Sequence, residues 1–374
     1  MLKVKSFAHD SSIALTSTAS TFTVGSTLQA NGTVSVSDSD GDSKDDTVTY
    51  TIDPTKYGSA LSAQMQTHAV TMVASAATTA LNKMSETSEV ALMNLSASGN
   101  ADTQLFCAVG GGFSRVETGS HVSLRSVNLS FGVGNNHKID YGRLSWGVAF
   151  ETGYSVFHSH YDAGAAEPFV SKKGHLNFYG GAILGKFDFN NLYHANATLR
   201  AGHIYSKQNN GLYDSSSSQN YDVKLNQSYF GIELGGGKII KIDDINSVGL
   251  YAKYYYLHQD LDSFYAGGNY TVHSINSHRL KIAGRYQYNV SKRGTLYAGL
   301  GGEYEFDGKA ELTLDYGVKA DSSKIDGFRT CAEVGFILKP DENMKGLSFD
   351  IAVKGRYGSK YRDIFANAEV KYYF

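Results

Sequence analysis

The chain has 374 residues, of which 40 are glycine, 26 are tyrosine and only 3 are proline, and its formal net charge at pH 7 is −2. A charge this close to balance predicts no polybasic face that recruits nucleic acid by neutralising phosphates, so we expect no nucleic-acid partner. Two cysteines are too few for a disulfide-stapled scaffold, and no run of about 18 apolar residues is present that would form a transmembrane helix.

The N-terminal segment, residues 1–58, is rich in Ser, Thr and Asp and contains a few short alternating runs. We interpret it as the frayed end of a larger β structure or as a linker, either β-rich or disordered. It lacks the apolar core of a signal peptide, so if the protein is exported, we expect the chain to be a fragment or a mature C-terminal portion. Asp38, Asp40 and Asp42 have the spacing of a calcium loop. Ser43 replaces the glycine that such a loop needs, which favours a solvated polar turn.

A second segment, residues 59–101, contains a stretch to residue 94 that is rich in alanine and free of glycine and proline. This composition predicts a helix about 50 Å long at a rise of about 1.5 Å per residue, followed by a linker. Its residues at near-helical spacing are Leu61, Met65, Met72 and Ala76. The small and hydroxylic side chains of its faces suit a narrow, partly polar enclosure, and a marginal surface helix is the alternative.

From residue 102 to residue 374 the sequence alternates between apolar and polar residues, with the two-residue period of β-strands. In RLSWGVAFETGYSVF, for example, Leu144 and Trp146 share an apolar face, while Ser145 and Glu151 share a polar one. The runs predict about twelve strands, at 103–116, 120–134, 143–160, 174–188, 191–206, 221–241, 247–262, 270–290, 294–310, 325–339, 346–360 and 365–374. Compact turns alternate with longer polar connections between these strands, as in an up-and-down barrel.

Three features favour a membrane barrel over a soluble β-sandwich. The runs are long, many of about 10 to 15 residues against a soluble average of about five or six. Their polar faces suit a lumen better than a core, and aromatic residues gather near the ends of the apolar faces. We therefore predict an all-β fold, a closed antiparallel transmembrane β-barrel of about 12 strands with the preceding α-helix in its pore. The last run, FANAEVKYYF, is expected to close the barrel against the run near TQLFCAVGGGF.

The polar faces carry charges of both signs, which we expect to line the lumen. The predicted lumen residues are Glu151, Glu233, Arg279, Lys281, Arg285, Glu303, Glu305, Arg329, Glu333, Asp350, Lys354 and Arg356. They predict a salt-bridged, water-filled interior that keeps the barrel rigid. The same polar wall is expected to grip the helix.

Few motifs indicate a disulfide, a metal site or a catalytic site. Cys107 falls on the outward face and Cys331 on the inward face, so we expect no disulfide between them. His158, His160 and Asp162 form an H-x-H-x-D pattern, for which we favour loop polarity over a weak metal site. No nucleophile-elbow, zinc-protease or phosphate-loop motif is present. We therefore predict no cofactor, no metal and no enzymatic activity.

The order of a helix followed directly by a barrel carries a family resemblance, supported by GRLSWGVAFETGYS, NFYGGAILGKFDFNNLYHANATLRAGH and the terminal AEVKYYF. Over residues 59–374 the chain resembles the translocator domain of autotransporters, the type V secreted proteins of Gram-negative bacteria. The resemblance implies an outer-membrane barrel that anchors an N-terminal passenger, helps to export it to the cell surface, and is then plugged by the helix. The implied partners are the lipid bilayer, the outer-membrane barrel assembly machinery and the chain's own passenger, and we expect a monomer.

The resemblance also implies an assembly signal at the C-terminus, formed by Phe374 with Tyr372 and Val370 on the same face. In some members of the family the helix is cut at an Asn-Asn pair inside the barrel. Here Asn82 is followed by Lys83, so we do not expect cleavage by that route. The alternatives are a porin-like outer-membrane channel and an outer-membrane hydrolase with an active site at the extracellular rim.

Overall fold

The computed structural model describes residues 2–5, 18–24, 28–37, 47–58, 61–94, 103–118, 120–161, 170–214, 219–266, 268–314, 319, 322–339 and 346–373. The predictions made for the calcium-like spacing of Asp38, Asp40, Asp42 and Ser43, and those for Asp162 and Phe374, fall outside these ranges. Within the described residues, no helix has the length and apolar character that crossing a membrane requires.

The N-terminal part contains a small sheet followed by one helix. The strands β1 (Leu2–Lys5), β2 (Thr18–Val24), β3 (Leu28–Ser37) and β4 (Thr47–Gly58) form the sheet, in the order β1-β4-β3-β2. The helix α1 (Leu61–Asn94) follows. Its alanines and the absence of glycine and proline favour the helical conformation, and the sequence prediction of a helix here is confirmed.

Twelve antiparallel strands form a closed barrel, which confirms the predicted fold. The strands are β5 (Thr103–Glu117), β6 (His121–Ile139), β7 (Gly142–Tyr161), β8 (Val170–Phe189), β9 (Tyr193–Asp214), β10 (Gln219–Lys241), β11 (Asn246–Leu261), β14 (Ile275–Asn289), β15 (Gly294–Glu305), β19 (Gly327–Leu338), β20 (Leu347–Gly358) and β21 (Tyr361–Tyr373). Each strand pairs with its neighbours along the chain. Compact turns therefore lie at one rim of the barrel, while the other rim carries the longer connections together with the short ones at 118–120 and 359–360.

The barrel closes between its last strand and its first. β21 pairs with β5 along its length, from Tyr373 opposite Gln104 onward, so the predicted closing pair is confirmed. Closure leaves the sheet without an unpaired edge. Glycine is needed at one point of this seam, because a Cβ on Gly112 would lie 2.2 Å from the backbone oxygen of Ile364.

Two of the longer connections, after β11 and after β15, form two small sheets, one of which includes strands from both connections. One consists of β12 (Ser263–Tyr265), β13 (Asn269–Val272) and β17 (Leu312–Leu314), and the other of β16 (Lys309–Ala310) and β18 (Ser323–Lys324). Two predicted strands therefore extend beyond the barrel strand that they contain, whereas 120–134 and 191–206 are too short, because β6 continues to Ile139 and β9 to Asp214. The predicted strand 270–290 is divided, because β13 bonds to β12 and β17 instead of to the barrel. The predicted strand 294–310 ends at Glu305, and Gly308, with φ of 74°, turns the chain away.

The outward face of the barrel is apolar on every strand. On β7, the outward residues from Leu144 to Val156 cover roughly 30 Å of height at about 3.3 Å per residue and a tilt of about 45°, which matches the hydrocarbon core of a bilayer. Their side chains are exposed, Trp146 at 47% and Val148 at 44%. A continuous exposed apolar belt of this size identifies the membrane-facing surface.

Candidate functional site

The helix α1 occupies the lumen of the barrel. All of its residues from Val70 to Glu89 are buried, although most are Ala, Ser or Thr. Its backbone lies closest to β5, β6, β7, β8 and β9, because small side chains allow the helix axis to approach one wall. The opposite wall is farther away, and long charged side chains span the remaining distance.

The lumen is apolar at the end near the longer connections. Here the part of α1 from Val70 to Met84 belongs to one cluster with inward residues of β5 to β10, namely Val116, Val122, Leu124, Phe157, Leu176, Phe178, Ile204, Leu212, Val223 and Leu225. The prediction of a polar inward face is wrong in this region. The signal was present in HVSLRS, where the apolar residues Val122 and Leu124 stand at inward positions and Arg125 at an outward one.

The apolar end also holds α1 through hydroxyl groups of the longer connections. The Oγ atoms of Ser75 and Ser323 are 2.6 Å apart, and Ser323 also donates to the backbone oxygen of Thr71 at 3.0 Å. Gln259 donates to Thr78 Oγ1 at 2.8 Å. The N-terminal half of the described helix therefore lies at the rim that carries the longer connections.

Farther along the helix, Glu86 lies among cations from β14 and β20. One carboxylate oxygen is 2.8 Å from Lys354 Nζ and 4.0 Å from Lys281 Nζ, and the other is 3.4 Å from Arg356 Nη1. All four side chains are buried. Since water does not screen these charges, each depends on its partners for compensation. The Glu86 carboxylate is thus a point at which the far wall holds the helix.

Glu89 adds a second such point one helical turn later. Its carboxylate is 2.5 Å from Lys253 Nζ and 3.5 Å from Lys354 Nζ, so Lys354 bridges both helix carboxylates. Residues three apart lie on the same face of a helix, and both carboxylates therefore point toward the cationic wall. On another side, Ser88 Oγ donates to Glu151 Oε1 at 2.5 Å.

Away from the helix, the wall charges pair with one another. Arg279 and Arg329 both contact Glu303, at 3.4 and 3.1 Å, and Arg285 lies 2.7 Å from Glu333. These pairs join strands β14, β15 and β19 across the inward face. Arginine is suited to such buried pairs because its planar fork donates several hydrogen bonds at once.

All the residues predicted to line the lumen are buried on inward faces: Glu151, Glu233, Arg279, Lys281, Arg285, Glu303, Glu305, Arg329, Glu333, Asp350, Lys354 and Arg356. The sequence prediction missed Arg200, which lies 2.7 Å from Glu233, and Asp363, which lies 2.6 Å from Arg356. It also missed Lys253 and the two helix carboxylates. Their signals were the strand alternation around Lys253 and the spacing of Glu86 and Glu89.

The residues predicted on the pore helix have different surroundings. The side chains of Leu61 and Met65 lie outside the described set, whereas Met72, Ala76, Asn82 and Lys83 are buried. Among the described residues, no hydrogen-bond partner faces the Asn82 amide nitrogen or the Lys83 ammonium. The ammonium instead lies 5.2 Å from the ring centroid of Phe365, a cation–π distance.

The remaining predicted positions lie at the barrel surface or beyond the described residues. Val370 and Tyr372 are exposed on the outward face of β21. Cys107 is exposed and Cys331 is buried, and both are free. The rings of His158 and His160 are 6.5 Å apart, and the described residues contain no group of three His, Cys, Asp or Glu side chains placed to hold a metal.

A cavity lies in the lumen near the compact turns. This cavity of about 150 Å³ is lined by residues that include Lys186, Asp188, His194 and Arg285. Lys186 and Asp188 form an ion pair at 3.1 Å. The cavity is lined by residues of β8, β9, β10, β11, β14 and β19.

Solved structures with the same fold include three autotransporter domains. The transport unit of AIDA-I from Escherichia coli is similar with a TM-score of 0.62 and 14% identity, over 80% of this chain and 99% of that one. The translocator domain of NalP from Neisseria meningitidis is similar with a TM-score of 0.59 and 12% identity, over 80% and 98%. The β domain of the Bordetella autotransporter BrkA follows with 0.57 and 14%, over 73% and 100%. The chain thus has the fold of an autotransporter translocator domain.

No protein-family model and no curated protein sequence matches the chain. The likeness is therefore one of backbone architecture, and the residues that hold the helix have to be read from this chain itself.

Proposed function

We propose that this protein is an autotransporter translocator, which anchors an N-terminal passenger in a bacterial outer membrane and helps to export it to the cell surface. In this proposal residues 1–58 are the passenger remnant, residues 59–101 provide the pore helix and linker, and residues 102–374 are the translocator barrel. The observation that carries the proposal is the helix from Val70 to Glu89 buried inside a closed barrel.

The direction of the helix supports export of the N-terminal segment. Thr71 and Ser75 contact Ser323 in a longer connection, whereas Glu86 and Glu89 lie farther into the lumen. In outer-membrane barrels the longer connections face the outside of the cell and the compact turns face the periplasm. The chain before α1 accordingly leaves the barrel on the extracellular side.

The proposed role requires that the helix stays in the lumen after export, and the contacts of the helix stabilise that state. Its apolar part packs against inward side chains, while Glu86 and Glu89 compensate Lys253, Lys281 and Lys354. If the helix left, water would enter the lumen, and the apolar side chains of the helix would lose their packing while these three ammonium groups lost their carboxylate partners. The helix therefore acts as a plug, a role without catalytic chemistry.

Two further partners belong to the proposal. The apolar belt contacts outer-membrane lipid all round the barrel, and because one chain closes the whole sheet, we propose a monomer. The barrel assembly machinery would recognise the C-terminal signal, in which Val370 and Tyr372 share the outward face and Phe374 continues their alternation.

Surface labelling of intact cells tests the export step. An antibody raised against residues 1–58 is expected to bind cells that express the full chain, without permeabilisation. An antibody against a periplasmic protein serves as the control for membrane integrity. Labelling that appears only after permeabilisation would contradict export and would favour the porin-like alternative, in which the N-terminal residues stay in the periplasm.

The hydrolase alternative predicts activity at the rim and leaves the lumen unexplained. It requires a convergent nucleophile and base among the longer connections. Turnover of an ester or peptide substrate by the purified chain, abolished by substitution of a single rim residue, would favour this alternative over the translocator proposal.

A further inference from the structure

Basic residues form an arc on the outer surface of one side of the barrel. They stand on the outward faces of β21, β5, β6, β7 and β8, near the rim that carries the longer connections. We call this set the basic arc: Arg362, Arg115, Arg125, His158, Lys173 and His175. On β21, β5, β6 and β7 each basic residue occupies the outward position next to the last apolar one, on the side of the rim. Arg362, for example, stands next to Ile364 in this way. The arc therefore marks the edge of the apolar belt.

Members of the arc face one another directly across strands. Arg362 is opposite Arg115 at the seam between β21 and β5, and His158 is opposite Lys173 between β7 and β8. Arg362 and Arg115 both carry a positive charge, and like charges in directly opposite positions destabilise a sheet unless an anion lies between them. The folded barrel thus keeps an electrostatic repulsion between Arg362 and Arg115.

The carboxylates of the barrel compensate only part of this charge. Glu117 lies 2.6 Å from Arg115. Among the residues that the structure describes, no carboxylate pairs with Arg125, Lys173 or Arg362. The guanidinium of Arg362 instead lies 5.3 Å from the ring centroid of Tyr357, which leaves its N–H groups open to an outside acceptor.

Below Arg362 the outer surface forms an open groove of about 460 Å³. Its floor is made of small residues, Ala332 and Gly355, and its walls include Phe113, Tyr357 and Ile364. These residues belong to the lipid-facing surface, so the groove is filled by hydrocarbon when the barrel is inserted. An apolar groove that ends at a pair of arginines combines a site for an acyl chain with a site for an anionic headgroup.

We propose that the basic arc and this groove bind a lipid with a phosphate-bearing headgroup in the leaflet next to the longer connections. The phosphate would lie between Arg362 and Arg115, since the arginine fork matches phosphate geometry. One acyl chain would occupy the groove, and the remaining basic residues would attract neighbouring headgroups. On the other side of the barrel, the outward positions near the same rim carry Lys224 opposite Lys207, and Asp222 compensates Lys207 at 3.0 Å. Beyond them stand Tyr254, His278 and Tyr304, so the pair of arginines marks the β21–β5 side as the binding side.

This inference requires insertion of the barrel into a bilayer but does not depend on export of residues 1–58. Failure of surface labelling would leave it intact, and absence of lipid binding would leave the translocator proposal intact.

Native mass spectrometry of the full chain in an uncharged detergent tests the inference. The probe is a bisphosphorylated, acylated glucosamine disaccharide, compared with the same lipid after removal of its phosphates and with phosphatidylcholine. We expect bound lipid only with the phosphorylated probe. Each arginine lost is expected to weaken binding by about fivefold, so Arg115→Gln with Arg362→Gln gives about 25-fold. Lys238→Gln, at an exposed outward lysine near the compact turns, is the matched control and retains full binding.

Two further arms separate the headgroup from the acyl chain. Inorganic phosphate alone is expected to compete weakly, and full competition would show a site for soluble anions and overturn the proposal. Gly355→Leu places a side chain in the groove and is expected to weaken binding of the acylated probe while the folded barrel persists on semi-native gels. Equal binding of the phosphorylated and dephosphorylated lipids, or unchanged binding by the double arginine variant, would also overturn it.

Discussion

The carboxylate of Glu86 on the pore helix lies 2.8 Å from the ammonium of Lys354 on β20, across 268 positions of the chain. Both groups are buried, and Lys354 also reaches Glu89 at 3.5 Å. One wall lysine therefore holds two successive turns of the helix. If the helix moves, the Glu86 carboxylate and the Lys354 ammonium lose each other as partners. The contact therefore fixes the position of the helix in the closed barrel.

Removal of the Glu86 charge is expected to loosen the plug. Glu86→Gln leaves Lys354, Lys281 and Arg356 with one fewer anion, and loss of one partner from a buried ion pair costs about 3–5 kcal/mol. In planar bilayers we expect the variant to open far more often than the unmodified chain. Glu311→Gln, which removes a carboxylate from an exposed ion pair with Lys309, is the matched control and is expected to stay closed. Equal conductance of both variants would contradict the role of Glu86.

The pairing of Glu86 with Lys354 predicts that their substitutions are not additive. Glu86→Gln and Lys354→Gln each leave a buried charge, whereas the double variant removes both members of the pair. A coupling free energy of about 1–3 kcal/mol is expected for such a contact. It is measured as the shift in the urea midpoint of the folded band on semi-native gels. An additive double variant would mean that the two side chains do not interact in the membrane.

A large residue on the helix is expected to prevent it from lying against the wall. Ala80 is fully buried in the apolar cluster, and overpacking of such a site costs about 1–3 kcal/mol. We expect Ala80→Phe to raise conductance and to lower the temperature at which the folded band is lost. Ala368→Phe adds the same ring on the lipid-facing side of β21 and serves as the control. The prediction fails if both substitutions behave alike.

A side chain at Gly112 is expected to weaken the closing seam. The Cβ of Gly112→Ala would lie 2.2 Å from the backbone oxygen of Ile364, whereas that of Gly355→Ala would lie 3.7 Å from its nearest neighbour, the backbone oxygen of Asp363. The first substitution requires the strands to move apart, and the second is an ordinary contact. We expect a lower urea midpoint for Gly112→Ala alone. Equal midpoints would show that the seam adjusts without cost.

Phe374 is expected to affect assembly of the barrel in the outer membrane and not the stability of the folded barrel. Phe374→Ser should reduce the amount of folded barrel in outer-membrane fractions, since it alters the proposed recognition signal. The same variant refolded into detergent without the assembly machinery should reach the stability of the unmodified chain. Reduced stability in detergent would instead assign Phe374 a structural role, and unchanged abundance in cells would remove it from the signal.

The strand period alone determined which residues face outward. A β-strand points successive side chains to opposite faces, so the alternation around Trp146 and Glu151 assigns both faces without knowledge of the partners. The same local rule predicted twelve strands, the closing pair and the inward position of the charged residues. It failed where the chain changes partners, as at β13, because the sequence pattern of a strand does not say which strand it bonds to.

The tertiary structure decided which charges meet and where the helix lies. Glu86 meets Lys354 only because closure of the barrel brings β20 opposite α1, and a contact between positions so far apart has no local signature. The apolar end of the lumen is likewise a property of the assembled wall, since Leu124, Phe157 and Leu176 come from three strands. Local periodicity determines to which face of its strand each side chain points. Only the closed sheet brings side chains from distant strands into contact.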